Sequence, residues 1–511
     1  VATAITHLWR LLRWGRTLGR HGVLRPFEAI ADLPAPLRLV ARLARFGTRA
    51  PLEPQYAEAL EKLGPAAIKL GQALATRPDL IGEAATRDLA RLQDKLPPVP
   101  FAQIKAVLDD AFGAVATAYA SIDETPVGAA SIAQVHKATT PDGRTVAVKV
   151  LRPGIEQTFA TAIETYAWAA AQVEALGGEA ARLRPRRVIE SFRTWVAREL
   201  DLRLEAANAS ELAEVMAAEP LYRVPAVDWD RTSRRVLTLE WIDGIKLTDP
   251  GALWAQAGLD RRTLARVAVQ GFLHQAIVAG AFHADHHQGN LFVQVDEQFP
   301  HGRLVAVDFG IMGRLDPLAR RYLAEILYGL QTRNYRRVAE IHFEAGYVPP
   351  HHSVEEFAAA LRAVGEPIFG RPIKEVSPGR LLDQLFVVTR IFEMETQPHL
   401  LLLQKTMVMV EGVASTLDPD ANMWELAAPF VTRWIRDELG PEAIAARTIH
   451  TGLRTLALVP DLIRRMDHLV PRPGAAPPQA PLPPLAARRP LTWLWLALAL
   501  GLGIAIGALI S

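Results

Sequence analysis

The chain has 511 residues, half of them apolar, and a formal net charge of +2. That length is enough for about two or three domains with full cores, and the charge does not announce a nucleic-acid partner. The sequence contains no cysteine, which excludes disulfides, thiolate chemistry and Cys-ligated zinc and leaves the redox compartment unread.

Residues 5–24 place Arg10, Arg13, Arg16 and Arg20 three or four apart, with Leu8, Leu11, Leu12 and Leu18 largely on another face and Trp9 and Trp14 at the flanks. This is a basic amphipathic helix, suited either to a lipid interface or to packing on a domain with its Arg face in water. The opening is Arg-rich without an uninterrupted apolar run and does not read as a secretory signal. Residues 1–48 are therefore assigned to basic amphipathic helices, and residues 49–125 to a helical extension. Within 55–92, Leu60, Leu63, Ile68, Leu70, Leu74 and Leu80 follow a helical period. Lys69 and Gln72 lie three apart and share a helix face. Gly71 between them costs roughly 1 kcal/mol against Ala in a helix interior, so something is expected to approach it closely.

A hairpin is expected over 126–150. Pro126 to Ser131 form a small-residue turn, Ile132 to Ala138 a strand, Pro141-Asp142-Gly143-Arg144 a tight turn, and Thr145 to Val150 the return strand. Alternation puts Ala147 and Lys149 on one face and Val146 and Val148 on the other. A small residue two before a Lys suits an adenine roof with the Lys reaching the phosphates. The turn over those phosphates has one Gly followed by Ala-Ala-Ser, and so has fewer positive-φ states than a Gly-rich loop. A single helix is expected over about 187–216, carrying Glu199, Asp201, Glu205 and Asn208. Glu205 is the candidate carboxylate partner of Lys149. Val236 to Glu240 read as a strand that ends in the turn Trp241-Ile242-Asp243-Gly244, a candidate hinge between two lobes with backbone groups for adenine.

The chemistry concentrates in His283-Ala284-Asp285-His286-His287-Gln288-Gly289-Asn290 and, eighteen residues after Asn290, Asp308-Phe309-Gly310. An Asp, an Asn five on, and an Asp closing the apolar run Leu304 to Val307 form a phosphoryl-transfer arrangement. Asp285 can orient or deprotonate a hydroxyl, while Asn290 and Asp308 offer hard oxygen ligands to Mg²⁺ on ATP phosphates. The four neighbouring residues His283, Asp285, His286 and His287 do not read as a zinc site, because consecutive His side chains do not easily chelate one ion. Asp316-Pro317 look like an N-cap and first-turn Pro, so a helix starts soon after Asp308. A long activation segment ending in Ala-Pro-Glu, which seats a peptide in protein kinases, is missing; this argues against a protein substrate. Residues 317–470 read as helical, broken near Val348-Pro349-Pro350 and Leu417-Asp418-Pro419. Residues 471–490 hold eight prolines, an extended spacer of at most roughly 60 Å. Residues 491–510 are uncharged and apolar, about 30 Å as a helix, and are expected to span a bilayer. Arg488 and Arg489 before them would keep the body cytoplasmic. Trp493 and Trp495 suit an interface, and Gly503 and Gly507 offer a face for a homodimer.

The ordered set Lys-x-Gly-Gln, Ala-rich turn, Val-Ala-Val-Lys, Glu-x-Asp, His-Ala-Asp-x-His-x-Gly-Asn and Asp-Phe-Gly resembles the UbiB family of atypical kinase-like proteins, over about residues 50–440. Its members support isoprenoid quinone biosynthesis. The resemblance implies that Lys69 and Gln72 belong to an amino-terminal extension folded across the place where a protein kinase takes its peptide. It implies that Lys69 pairs with Glu199 and Asp201, and Lys149 with Glu205. Ala129, Ala130 and Ser131 would be the nucleotide loop, joined by Ala147 and Glu240 in cofactor binding. Asp285 would be the catalytic Asp, and Asn290 and Asp308 the metal ligands. Two departures stand out: His286 and Gln288 replace prolines usual in the family, which puts the loop's rigidity in question, and Gly128 stands where some relatives have Ala.

The expected fold is α+β and protein-kinase-like. It has a two-lobed body (126–245 and 246–470), a helical amino-terminal extension, a Pro-rich linker (471–490) and one carboxyl-terminal transmembrane helix (491–510). The expected function is a single-pass, bacterial-type inner-membrane kinase or ATPase that binds ATP and Mg²⁺ in ubiquinone biosynthesis. It would act on or extract polyprenyl quinone precursors, with membrane lipids and other quinone enzymes as partners. The alternatives are a catalytically silent nucleotide-binding scaffold and a small-molecule phosphotransferase. A ring hydroxylase finds no flavin fingerprint or iron-ligand set.

Overall fold

The computed structural model describes residues 2–25, 42, 44, 47, 51–75, 78–89, 91–92, 96–175, 184–366, 387–394 and 398–439. An amino-terminal lobe is built on a five-stranded antiparallel sheet. Its strands are β1 (Ser121–Ile122), β2 (Gly128–Ala129), β3 (Ala133–Thr139), β4 (Thr145–Leu151) and, after a two-residue β5 (Tyr222–Arg223) that joins another sheet, β6 (Val236–Glu240). The order is β1-β3-β4-β6, with β2 paired on β3. The period-two pattern of β4 resolves as expected: Val146, Val148 and Val150 are buried, while Ala147 and Lys149 face the cleft half-buried. The valines meet Ile104, Leu108 and Tyr119 in a core beneath the sheet.

Helices α1 (Ala2–Arg20), α2 (Tyr56–Leu63), α3 (Pro65–Leu74) and α4 (Pro78–Leu89) precede the sheet, followed by α5 (Phe101–Phe112). The continuous helical period over 55–92 is thus cut into three helices. Gly64 takes φ +95° between α2 and α3, and Pro65 opens the next helix, where its missing N–H costs nothing. α1 packs through Leu11 and Trp14 on the cluster formed by α2–α4 with α6 (Ile155–Ala175) and α7 (Pro185–Glu199), while Trp9, Leu12 and Arg13 stay exposed. Of the two readings of this helix, packing on the domain is therefore observed.

α7 and α8 (Leu202–Val215) replace the single helix expected over 187–216. Asp201 breaks it: its backbone is extended and its side chain accepts the N–H of Arg203, capping α8. The carboxyl-terminal lobe follows. β7 (Ile245–Lys246), β9 (Leu291–Gln294) and β10 (Arg303–Ala306) form a sheet with β5, in the order β5-β10-β9-β7. β8 (Ala281–His283) pairs with β11 (Met312–Arg314). Around them lie α9 (Arg261–Leu273), α10 (Pro317–Gln331), α11 (Tyr335–Glu344), α12 (Val354–Gly365), α13 (Pro398–Leu417) and α14 (Met423–Leu439). The breaks expected near Val348 and Leu417 are present. α9, α10, α13 and α14 share one large apolar core with β8, β9 and β10. α11, α12 and residues 387–392 form a smaller one around Phe357 and Phe392.

The transmembrane part of the expected fold is corrected. Among the described residues no helix is long and apolar enough to cross a membrane. The longest are interrupted by charge: α6 carries Glu156, Glu164 and Glu174, and α13 carries Lys405 and Glu411. The stretches 471–490 and 491–510, on which the linker and the span rested, lie outside the described residues. The expected single-pass inner-membrane placement with a cytoplasmic body depended on that span and is corrected with it.

Gly280 turns the end of α9's continuation into β8 at φ +74°, and a Cβ there would lie 2.8 Å from the Leu315 carbonyl oxygen. Both strain and clash act together, so Gly280→Ala is expected to cost roughly 1–3 kcal/mol, read as a lower midpoint in urea unfolding.

Candidate active site

Lys149 on β4 donates to Glu205 Oε1 at 2.7 Å and lies 3.4 Å from Asp308 Oδ1. Glu205 is buried on the first turn of α8, a position fixed by the cap at Asp201. Asp308 follows β10 and adopts φ +64°, a left-handed conformation uncommon for a residue with a Cβ. Burial opposes both charges of the pair. The facing carboxylates of Asp308 and Glu205 nonetheless raise Lys149 above its ordinary value and keep it charged. Burial raises Glu205 in spite of Lys149. Lys149 pulls Asp308 down to about 2.

A second ion pair lies beside the first. Lys69 on α3 meets both carboxylate oxygens of Glu199 at 3.3 Å, with both side chains more than nine-tenths buried and the Trp195 ring 5.8 Å from the ammonium. The two lysines are thus served by two helices rather than by one. Asp201 does not take the role expected beside Lys69: both its oxygens go to the Arg203 guanidinium, at 2.8 and 2.6 Å. Gln72 is half-buried one turn along α3. What approaches Gly71 is the helical extension itself, since a Cβ there would run into the side chains of Leu60 and Leu92.

The Ala-rich segment is ordered by β2 pairing, with Gly128 opposite Val135 and Ala129 opposite Gln134. Ala130 N–H donates to Ala133 O at 2.8 Å. Arg152 donates to Ala130 O at 2.8 Å and to Pro97 O at 2.9 Å, tying the loop to the extension. The buried Ser131 Oγ has no hydrogen-bond partner among the described residues. Gly128 has no positive φ, and a Cβ there would meet nothing within 4 Å, so this position has room for an Ala. Ala147 pairs with Leu239 across β6. Glu240 closes β6 with its carboxylate on Arg223, and the Trp241 N–H that follows donates to Thr145 O at 3.2 Å.

Strand pairing brings the three oxygen-bearing residues together. Val307 N–H donates to Asn290 O at 2.9 Å across the open end of the β9–β10 hairpin, and Ala284 N–H donates to Ile311 O at 3.0 Å beside β8–β11. Asn290 Nδ2 reaches Asp285 Oδ2 at 3.3 Å and its carbonyl at 3.0 Å. That contact leaves the Asn290 amide oxygen available, and the side chain of Asp308 is half exposed. Four carboxylates (Asp285, Asp308, Glu199, Glu205) therefore gather around two lysines. A hard dication matches these oxygen donors. Burial would raise Asp285, but His287, 3.5 Å away, and the charge of Lys405 hold it below its ordinary value.

The loop's missing prolines are compensated. Gln288 Nε2 donates to Thr416 Oγ1 at 2.6 Å and to Gly412 O at 3.2 Å, both on α13. His286 is fully buried, stacked on Tyr222 at 5.9 Å. Thr406 of α13, also buried, donates to Ala284 O at 3.2 Å, and this places Lys405 near Asp285. Asn208 donates to Phe309 O at 2.9 Å and holds the turn after Asp308. Lys405 and Thr406 escaped the motif reading, and Asn208 was named without a role, because what they do depends on contacts more than a hundred residues away. After Arg314 the chain enters α10 directly, capped by Asp316 on Leu318 N and Ala319 N at 2.9 Å, so no peptide-seating segment separates them.

Comparison with known proteins agrees with this geometry. The ABC1 atypical kinase-like domain matches residues 91–342, and the UbiB helical domain matches 361–422. A probable protein kinase UbiB of Marinobacter nauticus is 41% identical over 451 residues, covering 86% of this chain and 81% of that one. A probable protein kinase UbiB of Pseudomonas fluorescens is 38% identical over 481 residues, covering 92% and 89%. The solved structure of an Rv3197–erythromycin complex from Mycobacterium tuberculosis is 26% identical, covers 73% of this chain and 93% of that one, and has a TM-score of 0.49, too loose an overlap to carry weight. Fold and site define an ABC1 atypical kinase-like protein. The chain belongs to the UbiB family.

Because Lys69 and Glu199 are both buried, Lys69→Met alone should cost about 3 kcal/mol by removing the charge that faces Glu199, and the double variant Lys69→Met/Glu199→Gln should recover part of that loss. Urea unfolding of the double-mutant cycle measures the coupling.

Proposed function

We propose that this chain is an ATP- and Mg²⁺-dependent atypical kinase or ATPase of ubiquinone biosynthesis that acts on a polyprenyl quinone precursor. The carrying observation is the convergence of Lys149, Glu205 and Asp308 with the Asp285–Asn290 contact. Lys149 would hold ATP phosphates while Glu205 fixes its direction. Ala129, Ala130 and Ser131 would cover the phosphates, and Ala147 with the backbone beyond Glu240 would enclose adenine. Asn290 and Asp308 would hold Mg²⁺, which when bound offsets charge on the phosphate oxygens. Asp285, kept ionised by His287 and Lys405, would accept the proton of the attacking hydroxyl. That hydroxyl belongs to water or to the phenolic head of the precursor. The direct passage from β11 into α10 supports a small acceptor over a peptide, and family membership supports the quinone pathway.

Replacing Asp308 by Asn should lower ATP turnover by about 100-fold or more, and cells relying on that variant should lose ubiquinone. Unchanged quinone levels would remove nucleotide chemistry from the function and leave a scaffold. Lys405→Met should slow turnover by roughly tenfold, with ADP affinity changed little; equal turnover would show that its charge plays no part.

A further inference from the structure

The connection from α11 to α12 carries His351 and His352, and the turn after residues 387–391 carries Glu393. One ligand atom from each of the three lies within 4.8 Å of the others. We propose that His351, His352 and Glu393 bind a transition-metal dication of the zinc class and join the connection before α12 to the turn before α13. Two imidazoles and one carboxylate form a recognised zinc donor set, with a fourth position left for water. Donor atoms of a tetrahedral zinc stand roughly 3.3 Å apart. His351 and Glu393, both well exposed and 3.5 Å apart, have room to close the remaining gap.

Adjacent histidines usually diverge, but these do not. Their ring centroids are 4.2 Å apart with the planes tilted 36°. A turn following Pro349 and Pro350, closed by His352 N–H on Pro349 O at 3.2 Å, holds both side chains on one side. The His352 ring lies 5.3 Å from Phe392, which in turn lies 4.8 Å from Phe357. The residue before Glu393 is therefore anchored in the small core, and Glu393 itself takes φ +47°. His352 Nε2 is buried without a hydrogen-bond partner among the described residues, a costly state for a polar atom and one that a metal would satisfy. The histidines of the catalytic loop are placed differently: His283 points at the Val307 carbonyl and His287 at Asp285.

Among the described residues the supporting cluster buries five apolar side chains, Ala339, Val348, Phe357, Val388 and Phe392. A metal bridging residues about forty apart in sequence would strengthen it by shortening the free loop.

The test uses the full chain, stripped with a chelator and titrated with Zn²⁺ against a chromophoric competitor, under saturating Mg²⁺. The wild type should bind one equivalent tighter than about 10 µM, and its melting temperature should rise with Zn²⁺. His351→Ala/His352→Ala should lose that equivalent, at least tenfold in affinity, and the thermal response with it. Glu393→Gln keeps the histidines and the small core, and should weaken the site several-fold if the double variant folds poorly. Absence of wild-type binding overturns the proposal. So does equal stoichiometry and affinity in wild type and Glu393→Gln, or in wild type and a folded double variant.

Discussion

One ammonium group between two carboxylates organises this molecule. Lys149 comes from the sheet of one lobe, Glu205 from the helix beneath that sheet, and Asp308 from the strand end of the other lobe. Removing Lys149 would leave two carboxylates facing one another across the cleft, where like charges disfavour each other. The arrangement is also left unbalanced. Two carboxylates on one lysine, with Asp285 nearby, favour further positive charge. Lys69, His287 and Lys405 supply it from three directions, and the oxygen donors suit a dication.

These charges are positioned by elements that lie outside an ordinary kinase core. α3 brings Lys69 from the amino-terminal extension, and its Gly71 allows α2 and the chain after α4 to close on it. From the other side α13 braces the catalytic loop through Thr406 and through Gln288. The helical domain is thus part of the site's support. A loop without its usual prolines keeps a defined shape because Gln288 is tied to a helix and His286 is packed in the core.

Much of this was legible in the chain. The spacing of Asp285, Asn290 and Asp308 marked the two strand ends that meet at the cleft, alternation aimed Lys149 into it, and Asp316-Pro317 announced the helix that follows β11 directly. Helix continuity at 200–201 was not legible, because an Asp inside a helical period looks like a solvated surface residue until its cap is seen. The pairing of Asp201 with Lys69 rested on the family resemblance, whereas its oxygens serve Arg203. Lys405 and Thr406 lie in an apolar helix with no local sign of their target. The apolar period of 491–510 suggested a span, but a hydropathy pattern alone does not establish one, and no described helix has that character.

The most direct measurement of the central claim is electron paramagnetic resonance of Mn²⁺ as a probe of the dication, recorded on the wild-type chain with ADP. Beyond any ion held at His351, His352 and Glu393, one bound Mn²⁺ per chain is expected that depends on nucleotide and is lost on Asn290→Ala. Absence of any nucleotide-dependent Mn²⁺, or a nucleotide-dependent Mn²⁺ unchanged by that substitution, would contradict a shared site at Asn290 and Asp308.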